Sequence, residues 1–207
     1  MSSIPARPPS SASQASPRPA WEIAYLFPPQ GLWSEEEYLA LSGNRLVEFT
    51  DGFVEVLPMP TMIHQLIVAY FYNALSAFVR SNSLGTVLFA PFRIRIHTGR
   101  FREPDVMFMM AAHASRMGNE FWEGADLVVE VVSDDDRRRD LETKRFEYGQ
   151  TGIPEYWIID PKLNEVTVLK LSGDHYEVHG VFGPGQKASS VLIGGFEVDV
   201  ADTLAGS

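Results

Sequence analysis

Three short apolar runs leave this chain few architectures to choose from. DVMFMM (105–110), LVVEVV (127–132) and EYWIID (155–160) are broken only by isolated acids. Each therefore reads as an interior strand rather than one with a wet face. Between the second and third, Arg138 to Thr151 reads as a helix, closed by Gly152 at a left-handed cap with Pro154 just beyond. Buried strands need helices over them, so the chain predicts a mixed α+β fold: a mixed central sheet flanked by helices.

The remaining segments fill in that frame. Ser34 before Glu35-Glu36-Glu37 signals a helix start, a hydroxyl cap followed by acids that suit the N-terminal dipole. RLVEFTDGFVEVL predicts an added N-terminal β-hairpin around Asp51-Gly52. A helix is expected from Met62 to Arg80, with Ile63, Leu66, Ile67, Tyr70, Phe71 and Leu75 on its apolar face. VLFAPFRIRI reads as one strand with arginines on a wet face. EVTVLKL and YEVHGVF predict a second hairpin around Ser172-Gly173-Asp174. The first twenty residues are rich in Pro, Ser and Ala and bury too little to offset ordering entropy. They are expected to be a disordered tail (1–20), with one domain over 21–207.

Composition narrows the function classes. The chain has no cysteine, which excludes disulfides and thiolate metal sites and suits a reducing cytoplasm. Neither a signal peptide nor a bilayer-spanning apolar run is expected, hence no membrane partner. A net charge of −10 opposes broad adhesion to polyanions. The segment from Arg93 to Arg145 is less repulsive: it holds ten of the seventeen basic residues beside eleven acids. Arg93, Arg95 and Arg102 are candidates for holding a nucleic-acid backbone, against the plainer reading that they solvate strand faces.

Two carboxylates stand out. Glu130 sits inside LVVEVV, where an acid must be paired, protonated or metal-bound. Asp105 follows Pro104 at a strand start, a place where Asp is also a common turn residue. Carboxylates on neighbouring strands suit Mg²⁺, or Mn²⁺, which takes a few oxygen ligands and keeps waters. Asp140, Lys144 and Tyr148 recur every four residues and share a helix face. Lys144 could supply an ammonium for phosphate charge, or be an ordinary solvated lysine. Asp140 could orient it or favour the helix N-terminus, and Tyr148 reads as a core residue with its hydroxyl satisfied. The run Asp134-Asp135-Asp136 reads as a solvated loop.

From Asp126 to Pro161 the chain resembles the Uma-type restriction endonuclease family of the PD-(D/E)XK nuclease superfamily. The likeness is carried in order by EPDVMFM, the EVVS element, the Asp140–Lys144–Tyr148 helix and GIPEYWIIDP, and extends over about Ser34 to Val200. It implies a restriction-endonuclease-like core, Asp105 and Glu130 as metal ligands, and Lys144 as a displaced motif lysine. Val132 stands where the superfamily usually has that lysine. His64 in PMPTMIHQ and Glu48 in VEFTDG match a family histidine and acid. The expected function is a Mg²⁺-dependent DNA endonuclease with Asp105, Glu130, Lys144 and His64 at its site, working as a homodimer. A noncatalytic nucleic-acid-binding or assembly protein is the alternative, and RNA hydrolysis by the same residues a third.

Overall fold

The protein is described here by a computed structural model covering residues 27–41, 46–133 and 137–207. The apolar runs become β6 (Val106–Met110), β8 (Leu127–Val131) and β9 (Glu155–Asp160). With β3 (Gly85–Phe89), β10 (Glu165–Ser172) and β11 (His175–Phe182) they form a six-stranded sheet in the order β11-β10-β9-β8-β6-β3. β3, β6 and β8 are an antiparallel meander, whereas β9 runs parallel to β8. A parallel return needs a crossover. It is made by a π-helical stretch, Arg139–Lys144, that runs into the helix Arg145–Thr151. Gly152 ends that helix at φ +83°, a conformation that costs a residue without Cβ little.

Both faces of the central strands β6, β8 and β9 are covered, which is why these strands lack polar alternation. Helix Met62–Ser81 lays Ile67, Phe71, Leu75 and Val79 against Phe108, Val129 and Trp157. On the opposite face, Met107, Met109, Val128 and Ile158 pack with Tyr148 and Tyr156. The long helix departs from expectation at its start: Ile63 and Leu66 are each 41% exposed. It also corrects the reading of apolar lengths. With a mean hydropathy of 1.4, this 20-residue helix is long and apolar enough to cross a bilayer, yet its buried stripe rests on the sheet.

A second sheet sits beside the first. Its strands are β1 (Val47–Thr50), β2 (Phe53–Val56), β4 (Arg93–His97), β5 (Arg100–Arg102) and β7 (Phe121–Glu123), in the order β2-β1-β5-β4-β7. The predicted N-terminal hairpin is thus the edge of a larger sheet. Its turn has positive φ at both Asp51 (+47°) and Gly52 (+87°), as a two-residue hairpin loop requires. VLFAPFRIRI, expected as one strand, is instead β3 and β4 in different sheets. Pro91 lies between them, lacks an N–H for any ladder, and lets the chain change sheet. Helix Glu35–Leu39 starts at Ser34 with a full capping box and buries Tyr38 against Phe49 and Phe101. The β10–β11 hairpin turns at Gly173-Asp174 as predicted. Short strands β12 (Lys187–Ser189) and β13 (Glu197–Asp199) pair before a last helix, Val200–Ala205. The expectations for residues 1–20 and for Asp134–Asp136 fall outside the described residues.

Candidate active site

Strand register brings the two carboxylates together. Val106 pairs with Val129, so one step along the antiparallel ladder sets Asp105 opposite Glu130. Residues so placed have Cβ atoms about 5 Å apart and share a face. Asp105 Oδ2 accepts a hydrogen bond from the Val131 N–H at 2.8 Å and lies 3.3 Å from His64 Nε2. His64 comes from the first turn of the long helix, whose Thr61 hydroxyl caps the His64 N–H. Burial opposes charge on the imidazole, but the hydrogen bond and charge of Asp105 outweigh it and raise its pKa. Its Nδ1 is buried with no hydrogen-bond partner among the described residues.

Glu130 is held from the other side. Lys144 Nζ lies 2.8 Å from Glu130 Oε2 and 3.1 Å from Asp140 Oδ1, while the Tyr148 hydroxyl donates to Glu130 Oε1 at 2.7 Å. Tyr156 donates to the Asp140 carbonyl at 2.9 Å, fixing the π-helical backbone that carries both Asp140 and Lys144. The side chain of Lys144 is only 6% exposed, which corrects the solvated-lysine reading. Burial pushes the Glu130 carboxyl up to about 8, with the Asp105 and Asp140 charges adding to the rise that Lys144 opposes. Burial would discharge Lys144, but Glu130, Asp140 and Glu48 together hold its ammonium well above the usual range.

Glu48 joins this cluster from β1. It is 1% exposed, and its carboxylate faces Lys144 at 3.9 Å, Arg102 at 3.5 Å and the guanidinium of Arg139. Burial raises its pKa, yet these three cations prevail and hold it below the usual carboxylate range. Arg139 also pairs with Glu55 on β2, so one side chain ties the hairpin to the π-helical stretch. Next to this cluster is a cleft of about 560 Å³, whose lining includes His64, Asp105, Glu130, Asp140, Lys144 and Arg139.

The three arginines proposed for the nucleic-acid backbone lie apart from the cleft. Arg102 is buried, bidentate to Glu147 at 2.7 and 2.8 Å. Arg93 faces Glu103 at 3.5 Å and covers the Tyr38 ring, and Arg95 pairs with Glu123 and Glu35. Their place is within the second sheet, where internal pairs occupy them.

A family model described as Uma2, "Putative restriction endonuclease", matches residues 35–201. The chain belongs to the Uma2 family. Among solved structures, the chain is similar to one titled a putative nuclease belonging to DUF820 from Anabaena variabilis ATCC 29413. The TM-score is 0.71 at 18% identity, covering 84% of this chain and 98% of that one. Identity so low speaks to the fold: helix, antiparallel meander, crossover helix and parallel strand form the restriction-endonuclease-like core that the motifs implied. No curated protein matches the chain.

The donor set in this Uma2 chain suits one kind of metal. Among the described residues no group of three or more His, Cys, Asp or Glu is poised as ligands. The candidate donors would be the carboxylate pair Asp105 and Glu130. A small hard cation that keeps most of its waters needs one or two carboxylates, so the pair fits Mg²⁺ or Mn²⁺ and not an ion that demands a full protein cage. Sequence reasoning missed Arg139 and Glu103, which also line the cleft. Arg139 stands within Arg137-Arg138-Arg139, where nothing local separates the inward arginine from Arg138, whose side chain is 83% exposed.

Proposed function

We propose that this chain is a Mg²⁺-dependent DNA endonuclease acting at the Asp105–Glu130 cleft. The observation that carries the reading is the pairing of these carboxylates on adjacent strands with the Lys144 ammonium 2.8 Å from Glu130. Asp105 and Glu130 would hold the ion, whose chemistry is to polarise a phosphoryl oxygen and lower the pKa of a bound water. Lys144, kept protonated by its carboxylates, acts as a fixed donor toward charge growing on the phosphate and not as a base. Tyr148 and Asp140 hold Glu130 and Lys144 in place. His64 holds Asp105 and offers positive charge at the cleft mouth. Cutting both strands of a duplex with one site per chain would call for a two-fold dimer.

Plasmid cleavage tests this. Nicking or linearisation should require Mg²⁺ or Mn²⁺ and vanish in Asp105→Asn and Glu130→Gln. Cleavage that survives chelation, or both substitutions, would remove the site. A second reading, a noncatalytic nucleic-acid-binding protein, is favoured by one feature: Lys144 already occupies Glu130 Oε2. Calorimetry with no metal uptake by the wild-type protein would decide for it.

A further inference from the structure

The mouth of the cleft is apolar where a duplex-binding nuclease would need cations. Leu57, Pro58, Met59 and Pro60, on the segment joining β2 to the long helix, line it together with Ile63 of that helix's first turn. Met59 is 81% exposed, and Met62 in the next turn 79%. Neither side chain contributes to any of the hydrophobic cores, so the fold does not explain them. Pro58 and Pro60 fix φ on both sides of Met59, which stiffens the segment that presents it.

Few cations are placed to track a phosphate backbone: Lys162 at the cleft stands among the carboxyl groups of Glu55, Glu103, Asp105, Glu130 and Asp140, and the arginines are otherwise engaged. Each arginine from Arg93 to Arg139 among the described residues lies within 3.5 Å of an acidic side chain, as does Lys144. The cleft therefore offers a double-stranded backbone little net positive charge to replace its counterions. Exposed Met, Pro and Ile side chains are the kind that wedge between bases and unstack them.

Resting on the nuclease reading of the adjoining carboxylates, we infer that the Pro58-Met59-Pro60 segment is an apolar wedge that takes an unstacked nucleobase. The substrate class is then DNA with unpaired or weakly stacked positions (gaps, bulges, flaps or mismatches) in preference to fully paired duplex. Such DNA has already lost part of the stacking that the wedge must disrupt, which makes its unstacking the least costly. The Met59 side chain would lie against the base while the neighbouring phosphate reaches Asp105 and Glu130.

The test uses the full chain in Ca²⁺, which occupies oxygen sites, so that binding is read apart from cleavage. Two probes carry 2-aminopurine and equal numbers of phosphates; in one it stands in a single-base bulge, in the other it is fully paired. The bulged probe should bind about tenfold tighter, the ratio that ~1.4 kcal/mol of spared unstacking gives, with a rise in fluorescence. Met59→Ala should bring the two affinities near parity and abolish the rise, leaving thermal stability unchanged. Equal affinities in the wild type, no binding to either probe, or an undiminished preference in Met59→Ala would overturn the wedge. A wild-type mass that doubles in light scattering and reverts in Met59→Glu would assign the patch to a second copy instead. The two readings fail separately. A fluorescence rise without cleavage in Mg²⁺ removes the nuclease alone, and Mg²⁺-dependent cutting with no preference removes the wedge alone.

Discussion

Taking away the Lys144 ammonium would leave Glu130 and Asp140 as buried carboxylates with no cation between them. Uncompensated buried charge typically costs roughly 3–5 kcal/mol, so Lys144→Ala should lower stability before it says anything about chemistry. The loss should shrink as pH falls through about 8, where Glu130 takes up a proton, and further in acid, where Asp140 does, and urea titrations from alkaline to acid pH measure it. Combining Lys144→Met with Glu130→Gln should restore much of it, because both partners become neutral together. At this scale the sequence was informative about Glu130, since an acid inside an apolar strand has few fates. It was silent on the burial of Lys144. A face of Asp140, Lys144 and Tyr148 is visible in the spacing, but whether it looks at water or at a sheet end depends on the crossover. The same limit hid Arg139, whose inward turn is fixed by Glu48 and Glu55 from a hairpin far away in sequence.

Elements with strong local signals were legible: the capped helix at Ser34, the Asp51-Gly52 turn, the three interior strands and the Gly152 stop. Short strands such as β5, β7 and β12 were not, because three residues carry no period and their pairing is decided by distant partners. The joint between the two sheets gives a pH prediction. Glu103, just after β5, accepts a hydrogen bond from the Val47 N–H of β1 at 3.2 Å and faces Arg93 of β4. Burial, which outweighs Val47 and Arg93, raises its carboxyl from 4.5 to about 7. The folded state thus keeps a proton that the unfolded chain has released. Its contribution is fully present below about pH 4.5, shrinks as pH rises and is gone above about pH 7. Thermal melts across that window should show wild-type stability falling by roughly 1–3 kcal/mol more than in Glu103→Gln. Parallel slopes for the two proteins would mean Glu103 is ionised in the fold.

For the whole molecule, charge is the quantity to test. The chain carries −10 overall, and its arginine-rich middle is cancelled by carboxylates held in ion pairs. A protein that binds DNA by a basic track releases about one counterion for each phosphate it neutralises, and its affinity falls steeply with salt. Here the groups facing the scissile phosphate would be Lys144, His64 and a metal ion, so only two or three phosphates would be neutralised. Binding in Ca²⁺, followed by fluorescence anisotropy between about 50 and about 200 mM salt, should then give a log–log slope of about −2 to −3, against the −5 or steeper of a duplex-tracking protein. Chelating the metal should nearly abolish binding, because −10 of protein charge would then face the phosphates with little to offset it. A steep slope that survives chelation would reveal a basic surface away from the cleft, and the cleft would no longer be the main determinant of affinity.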